Sequence, residues 1–208
     1  MVLKSYDNLE ESTIMKTKLN TWIKIIPWLI GFLLSTAGMY LGYNLGSEIA
    51  SLMGGEPGIW ARLGKGFIWG GVIACLQWPI VRVVGVPPLW FVFAGAIAFA
   101  IGYPFGQTIQ GFFIYNWNLH LTGYWLCVTT FGLFLGVPQW LVLRQQLKRA
   151  SIWILFSLIG WILTGVAWIN FGGDSGVESI SYGIITGFGL AWIVNSKQIK
   201  RKNDKSIN

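Results

Sequence analysis

Two stretches of the chain place an amide, an indole and a guanidinium at one fixed spacing. They are Gln77-Trp78-Pro79-Ile80-Val81-Arg82 and Gln139-Trp140-Leu141-Val142-Leu143-Arg144, 62 residues apart. On a helix, positions i and i+4 share a face, so each Arg stands one turn beyond its Trp, within reach of a cation-π contact. A guanidinium at a membrane rim pairs with phosphate; the spacing fits an interfacial anchor first and a lipid or ligand site second. Gln77 and Gln139 sit about a turn deeper, where an unsatisfied amide is costly. They are expected to bond neighbouring helices or, as the alternative, to border a substrate path. Glu48 is the remaining polar candidate, a carboxylate near the end of the first apolar run that suits an interfacial charge or a titrating, cation-binding group.

Other chemistries lack their parts. His120 is the single histidine, so no paired-histidine metal site can be built. Ser35, Thr36, Ser157, Thr164 and Thr186 have no His or Lys at membrane depth to activate them. Gly54-Gly55-Glu56-Pro57-Gly58 reads as a turn, because it lacks the Lys-Ser/Thr of a phosphate loop. Cys75 and Cys127 lie in apolar runs and read as small hydrophobes. No catalytic, metal or cofactor site is expected, and the chain reads as a non-enzyme.

The elements that carry these residues follow from composition. Of 208 residues, 54% are hydrophobic and only 11% charged, against about 25% charged in soluble domains. Mean hydropathy is +0.57. Such a surface faces lipid. Spans of about 20 apolar residues fall near 25–46, 64–84, 88–110, 122–143, 151–171 and 177–195. The organisation read from this is a polar cytoplasmic leader at 1–24, a six-helix transmembrane domain at 25–195 and a basic cytoplasmic tail at 196–208. His120 falls in an outer loop, Asn116 to Leu121, and Pro87-Pro88 marks a tight inner turn. Pro79, Pro104 and Pro138 lie within spans and are expected to kink them or end regular hydrogen bonding.

Six crossings put both termini on one side. That side collects thirteen of the fifteen Lys and Arg, leaving Arg62 and Lys65 on the other. The positive-inside rule makes both termini cytoplasmic. With the acids included the inner face carries +9 and the outer −2. The net +7 is a topology signal with attraction to anionic headgroups, and nucleic acid is excluded as a partner. Most Trp residues fall at span ends, Trp153 among the inner ones, while Trp69 and Trp161 lie near mid-span.

The repeated Gln-Trp segment belongs to a wider repeat. Trp28, Trp90 and Trp153 open the first, third and fifth spans, and Trp78, Trp140 and Trp192 close the others. The reading is an all-α polytopic fold of three parallel hairpins, about 25–84, 88–144 and 151–195, around a pseudo-threefold axis normal to the membrane. In the third copy Ala191 stands at the Gln place. Small residues recur every fourth position, as in Gly38, Gly42, Gly46 and Ala50, or Ala94, Ala98, Gly102 and Gly106. Such stripes serve close helix packing, and could also meet another protein or a flat ligand.

These closing helices resemble those of small multispanning bacterial membrane proteins, many cyanobacterial, that repeat a G-x-x-x-Q-W-x-x-L-R-like helix. The pattern fits best at Gly136 to Arg144, one residue shorter between Gly136 and Gln139; in the other copy Ala74 takes the Gly place and Val81 the Leu place. The resemblance covers about 25–194 and implies lineage, in a bacterial plasma membrane or thylakoid, but no activity. Function is read as an accessory, assembly or scaffold component with a membrane-protein partner or as a homo-oligomer. The alternatives are a small transporter, channel or lipid-handling protein with a polar path near Gln77 and Gln139, or a pigment or quinone binder.

Overall fold

The computed structural model describes residues 3–55, 58–147, 149–173 and 175–204, with side chains described between 25 and 195. Glu56, Lys148, Asp174 and the side chains of the leader and the basic tail, on which part of the charge count rests, lie outside the described residues. Among the described residues six helices follow one another: α1 Leu3–Leu52, α2 Ile59–Arg82, α3 Pro88–Trp117, α4 His120–Leu143, α5 Ile152–Phe171 and α6 Ser175–Asp204. All six contain a segment long and apolar enough to cross a membrane, from Ile25–Leu52 through to Ser175–Asn195. The chain is a multi-pass, all-helical membrane protein.

Each helix packs on its two neighbours in the chain, and α6 returns to α1 to close a ring of six. One end of the ring carries the α2–α3 and α4–α5 connections, the start of α1 and the end of α6; we call it the terminal end. The other, the hairpin end, carries the remaining three connections.

Several helices run past the apolar runs that mark them in sequence, because backbone hydrogen bonding continues into the headgroup zone until a cap stops it. At the end of α3, Asn118 takes a left-handed conformation at φ 54. The next N–H, that of Leu119, returns to Phe113 O at 3.1 Å, the pairing that terminates helices at an αL residue. Asn116 therefore belongs to α3, and His120 is the first residue of α4 instead of part of a longer loop. Gly54 and Gly55, at φ 95 and 76, end α1 as the glycine turn requires. Pro79, Pro104 and Pro138 lie inside α2, α3 and α4, which continue through them. Pro88 opens α3, where its missing N–H costs nothing.

The glycine stripes are consumed inside the ring. A Cβ at Gly38, Gly42 or Gly46 of α1 would meet Ile73, Trp69 or Lys65 of α2 at 3.0, 2.7 and 2.8 Å, an antiparallel ladder stepping four residues on each helix. Gly70 of α2 lies against Gly95 of α3, Gly132 of α4 against Ser157 of α5, and Gly187 of α6 against Gly31 of α1. In lipid no hydrophobic force draws helices together, so backbone approach and the van der Waals contact it allows hold these pairs.

Candidate functional site

The ring has no open centre at mid-depth. Trp69 of α2, Phe99 of α3, Phe131 of α4 and Trp161 of α5 point inward, and every pair among the four rings is in contact, with centroids between 5.2 and 6.5 Å. Tyr182 of α6 adds a ring 5.6 Å from Trp161, and Met39 of α1 completes the cluster. All six helices thus contribute to one plug. Edge-to-face pairs of this kind add about 0.5–1.5 kcal/mol each beyond burial. Against that gain, the indole N–H groups of Trp69 and Trp161 find no acceptor among the described residues.

Toward the terminal end the axis becomes polar over a short interval. Gln77 and Gln139 are fully buried. Trp153 donates its indole N–H to Gln139 Oε1 at 2.9 Å, Gln139 Nε2 donates to Gln77 Oε1 at 3.4 Å, and Gln77 Nε2 donates to Ser35 Oγ at 3.2 Å. The relay ties α5, α4, α2 and α1 together. Gly95 of α3 makes room for it, since a Cβ there would lie 3.5 Å from Gln139 Nε2. In membrane proteins one such bond contributes about 0.6 kcal/mol, with a maximum near 1.7. Below the relay the axis closes again over Val81, Leu143, Val194 and Phe91, all of them buried.

Trp78, Arg82, Trp140 and Arg144 stand as their spacing predicts. Each guanidinium carbon lies 5.3 Å from its indole centroid. Both Arg side chains are exposed at the terminal end, and the Trp78 N–H donates to Val86 O of the α2–α3 connection at 3.1 Å. Glu48 is exposed, four residues before the hairpin-side end of α1. It is at the opposite end of the ring from Gln77, so the two do not form one path. Among the described residues no group of His, Cys, Asp and Glu could hold a metal ion.

Two positions depart from their sequence reading. Trp153, placed by its span-end position in an interfacial belt, is fully buried and acts as the outermost donor of the relay. Lys65, assigned only to the outer charge count, is 7% exposed. Its ammonium lies 4.7 and 5.2 Å from the rings of Tyr43 and Tyr103, inside the hairpin end of the ring. The available signal was the stripe of α1: Gly46 faces Lys65 in the same ladder that sets Gly42 against Trp69.

No protein-family model, no curated protein and no solved structure matches the chain.

Proposed function

We propose that the protein is a non-enzymatic component of a larger membrane assembly, acting as an accessory, assembly or scaffold subunit through its lipid-facing exterior. The observation that carries this reading is the closed axis: rings fill the middle, and the amides beside them are spent on each other, Ser35 and Trp153. A transport path near Gln77 and Gln139 would need those amides free for a solute. A pigment or quinone would need a slot among rings that already touch one another. The glycine stripes join helices of the same chain, so a partner would meet the large apolar side chains left outside, such as Leu33, Ile97 and Phe105.

The scaffold is proposed to be three parallel hairpins about an axis normal to the membrane. Side chains 62 residues apart take matching places: Trp69 and Phe131 in the plug, Phe99 and Trp161 beside them, Gly70 and Gly132 at close approaches. The third closing helix supports an offset of 51 from the second, which aligns Tyr182 with Phe131 and Gly183 with Gly132. Leu190, fully buried, then stands at the Gln place, one residue before the Ala191 suggested by sequence. Both termini are proposed to face the cytoplasm of a bacterial plasma membrane or thylakoid, with the exposed Arg82 and Arg144 at anionic headgroups.

Gentle extraction of a tagged chain from native membranes, followed by mass spectrometry of what accompanies it, tests the assignment. A partner in fixed ratio is the expected result. A solitary monomer throughout would overturn it.

A further inference from the structure

We infer that one anionic phospholipid is held between α2 and α3, its acyl chain in a groove on the lipid-facing side and its phosphate on Arg82. The groove measures about 220 Å³ and is apolar, with Gly71, Val72 and Cys75 of α2 and Val92, Phe93 and Ala96 of α3 among its walls. It exists because two small residues meet at its floor: a Cβ at Gly71 would already touch Ala96 Cβ at 3.4 Å. Cys75 and Phe93 are exposed, so the groove opens toward lipid rather than toward the axis.

An apolar trough alone would take any chain, but this one has a cation at its end. Arg82 lies seven residues beyond Cys75 on the same face of α2, about 10 Å closer to the terminal end at 1.5 Å per residue. That separation suits a phosphate at the guanidinium and the upper methylenes of its chain in the groove. The guanidinium is exposed and stacked over Trp78, whose indole is in turn tied to Val86 O. It is held in place for paired hydrogen bonds to phosphate oxygens.

A second copy of the cation within the same chain supplies the comparison. Arg144 lies over Trp140 at the same 5.3 Å. However, 62 residues beyond Gly71 and Ala96 stand Leu133 and Leu158, larger side chains where the α2–α3 floor has small ones. The cation is repeated and the small-residue floor is not, so selective retention belongs to Arg82 alone. The inference concerns only the α2–α3 face and is independent of whether the protein has a partner.

The test is native mass spectrometry of the full chain released from vesicles containing equal amounts of phosphatidylglycerol and phosphatidylcholine. The wild type is expected to carry one phosphatidylglycerol. Arg82→Gln should reduce its preference over phosphatidylcholine about fivefold, and Arg144→Gln should leave it unchanged. Gly71→Leu with Ala96→Leu should abolish retention, and alkylating Cys75 of the folded wild type with a bulky maleimide should do the same without relying on a variant that folds. Equal losses for Arg82→Gln and Arg144→Gln, or undiminished retention after Cys75 alkylation, would overturn the inference.

Discussion

Gln139 donates to Gln77 across 3.4 Å, and the two residues are 62 positions apart, the same interval that separates their Trp and Arg companions. Two amides at the same place of a repeated segment meeting in this way is what the proposed three-hairpin scaffold expects. The pair joins α2 to α4, and its remaining bonds reach Ser35 of α1 and Trp153 of α5.

Mutual satisfaction has an energetic signature. Gln139→Leu leaves Gln77 Oε1 and the Trp153 N–H without their partner and should cost about 1–3 kcal/mol. Gln77→Leu with Gln139→Leu should cost less than the sum of the two single changes, because Gln77 Oε1 and Gln139 Nε2, each orphaned by one single change, disappear together, while the Trp153 N–H stays unpaired wherever Gln139 is replaced. Unfolding free energies of the four species in one detergent check the coupling; strict additivity would remove the relay as a unit.

Close approach by glycine predicts a position-dependent cost for the smallest possible side chain. At Gly70 a Cβ would lie 2.5 Å from Gly95 O, a backbone atom that cannot step aside. Gly70→Ala should lose about 1–3 kcal/mol by overpacking. At Gly111 the nearest neighbours are Tyr115 ring atoms at 3.7 and 3.8 Å, ordinary contact, so Gly111→Ala should be neutral or slightly stabilising through helix propensity. Thermal unfolding of both variants tests the difference, and equal melting temperatures would contradict it.

Orientation can be read with single cysteines at exposed positions of a chain whose Cys75 and Cys127 are first replaced by Ala. Ser51, near the end of α1, belongs to the hairpin end and Gln145, after α4, to the terminal end. A membrane-impermeant maleimide should label Ser51→Cys in intact cells and Gln145→Cys only after permeabilisation. The reverse pattern would place both termini outside.

Much of this architecture could be read from the residues because lipid enforces simple rules. Six apolar runs became six helices, since every backbone polar group in a bilayer must be bonded within its own segment. The Trp-to-Arg spacing translated directly into two 5.3 Å stacks, because i and i+4 geometry is local. Contacts between distant helices were not legible to the same degree. Nothing near Trp153 announces that its N–H is drawn inward by Gln139, 14 residues before it. Lys65 looked like any outer charge, and only the register of α1 against α2 turns it toward Tyr43 and Tyr103. The groove beside Cys75 depends on Gly71 meeting Ala96, which is a property of the α2–α3 interface rather than of either helix.

The closed axis is the claim on which the functional reading rests, and ion flux tests it most directly. Purified protein in sealed vesicles should release trapped K⁺ or Cl⁻ no faster than vesicles without protein, because the ring plug and the apolar layer of Val81, Leu143 and Phe91 each close the axis. Flux through the wild-type chain well above the protein-free background would contradict the account.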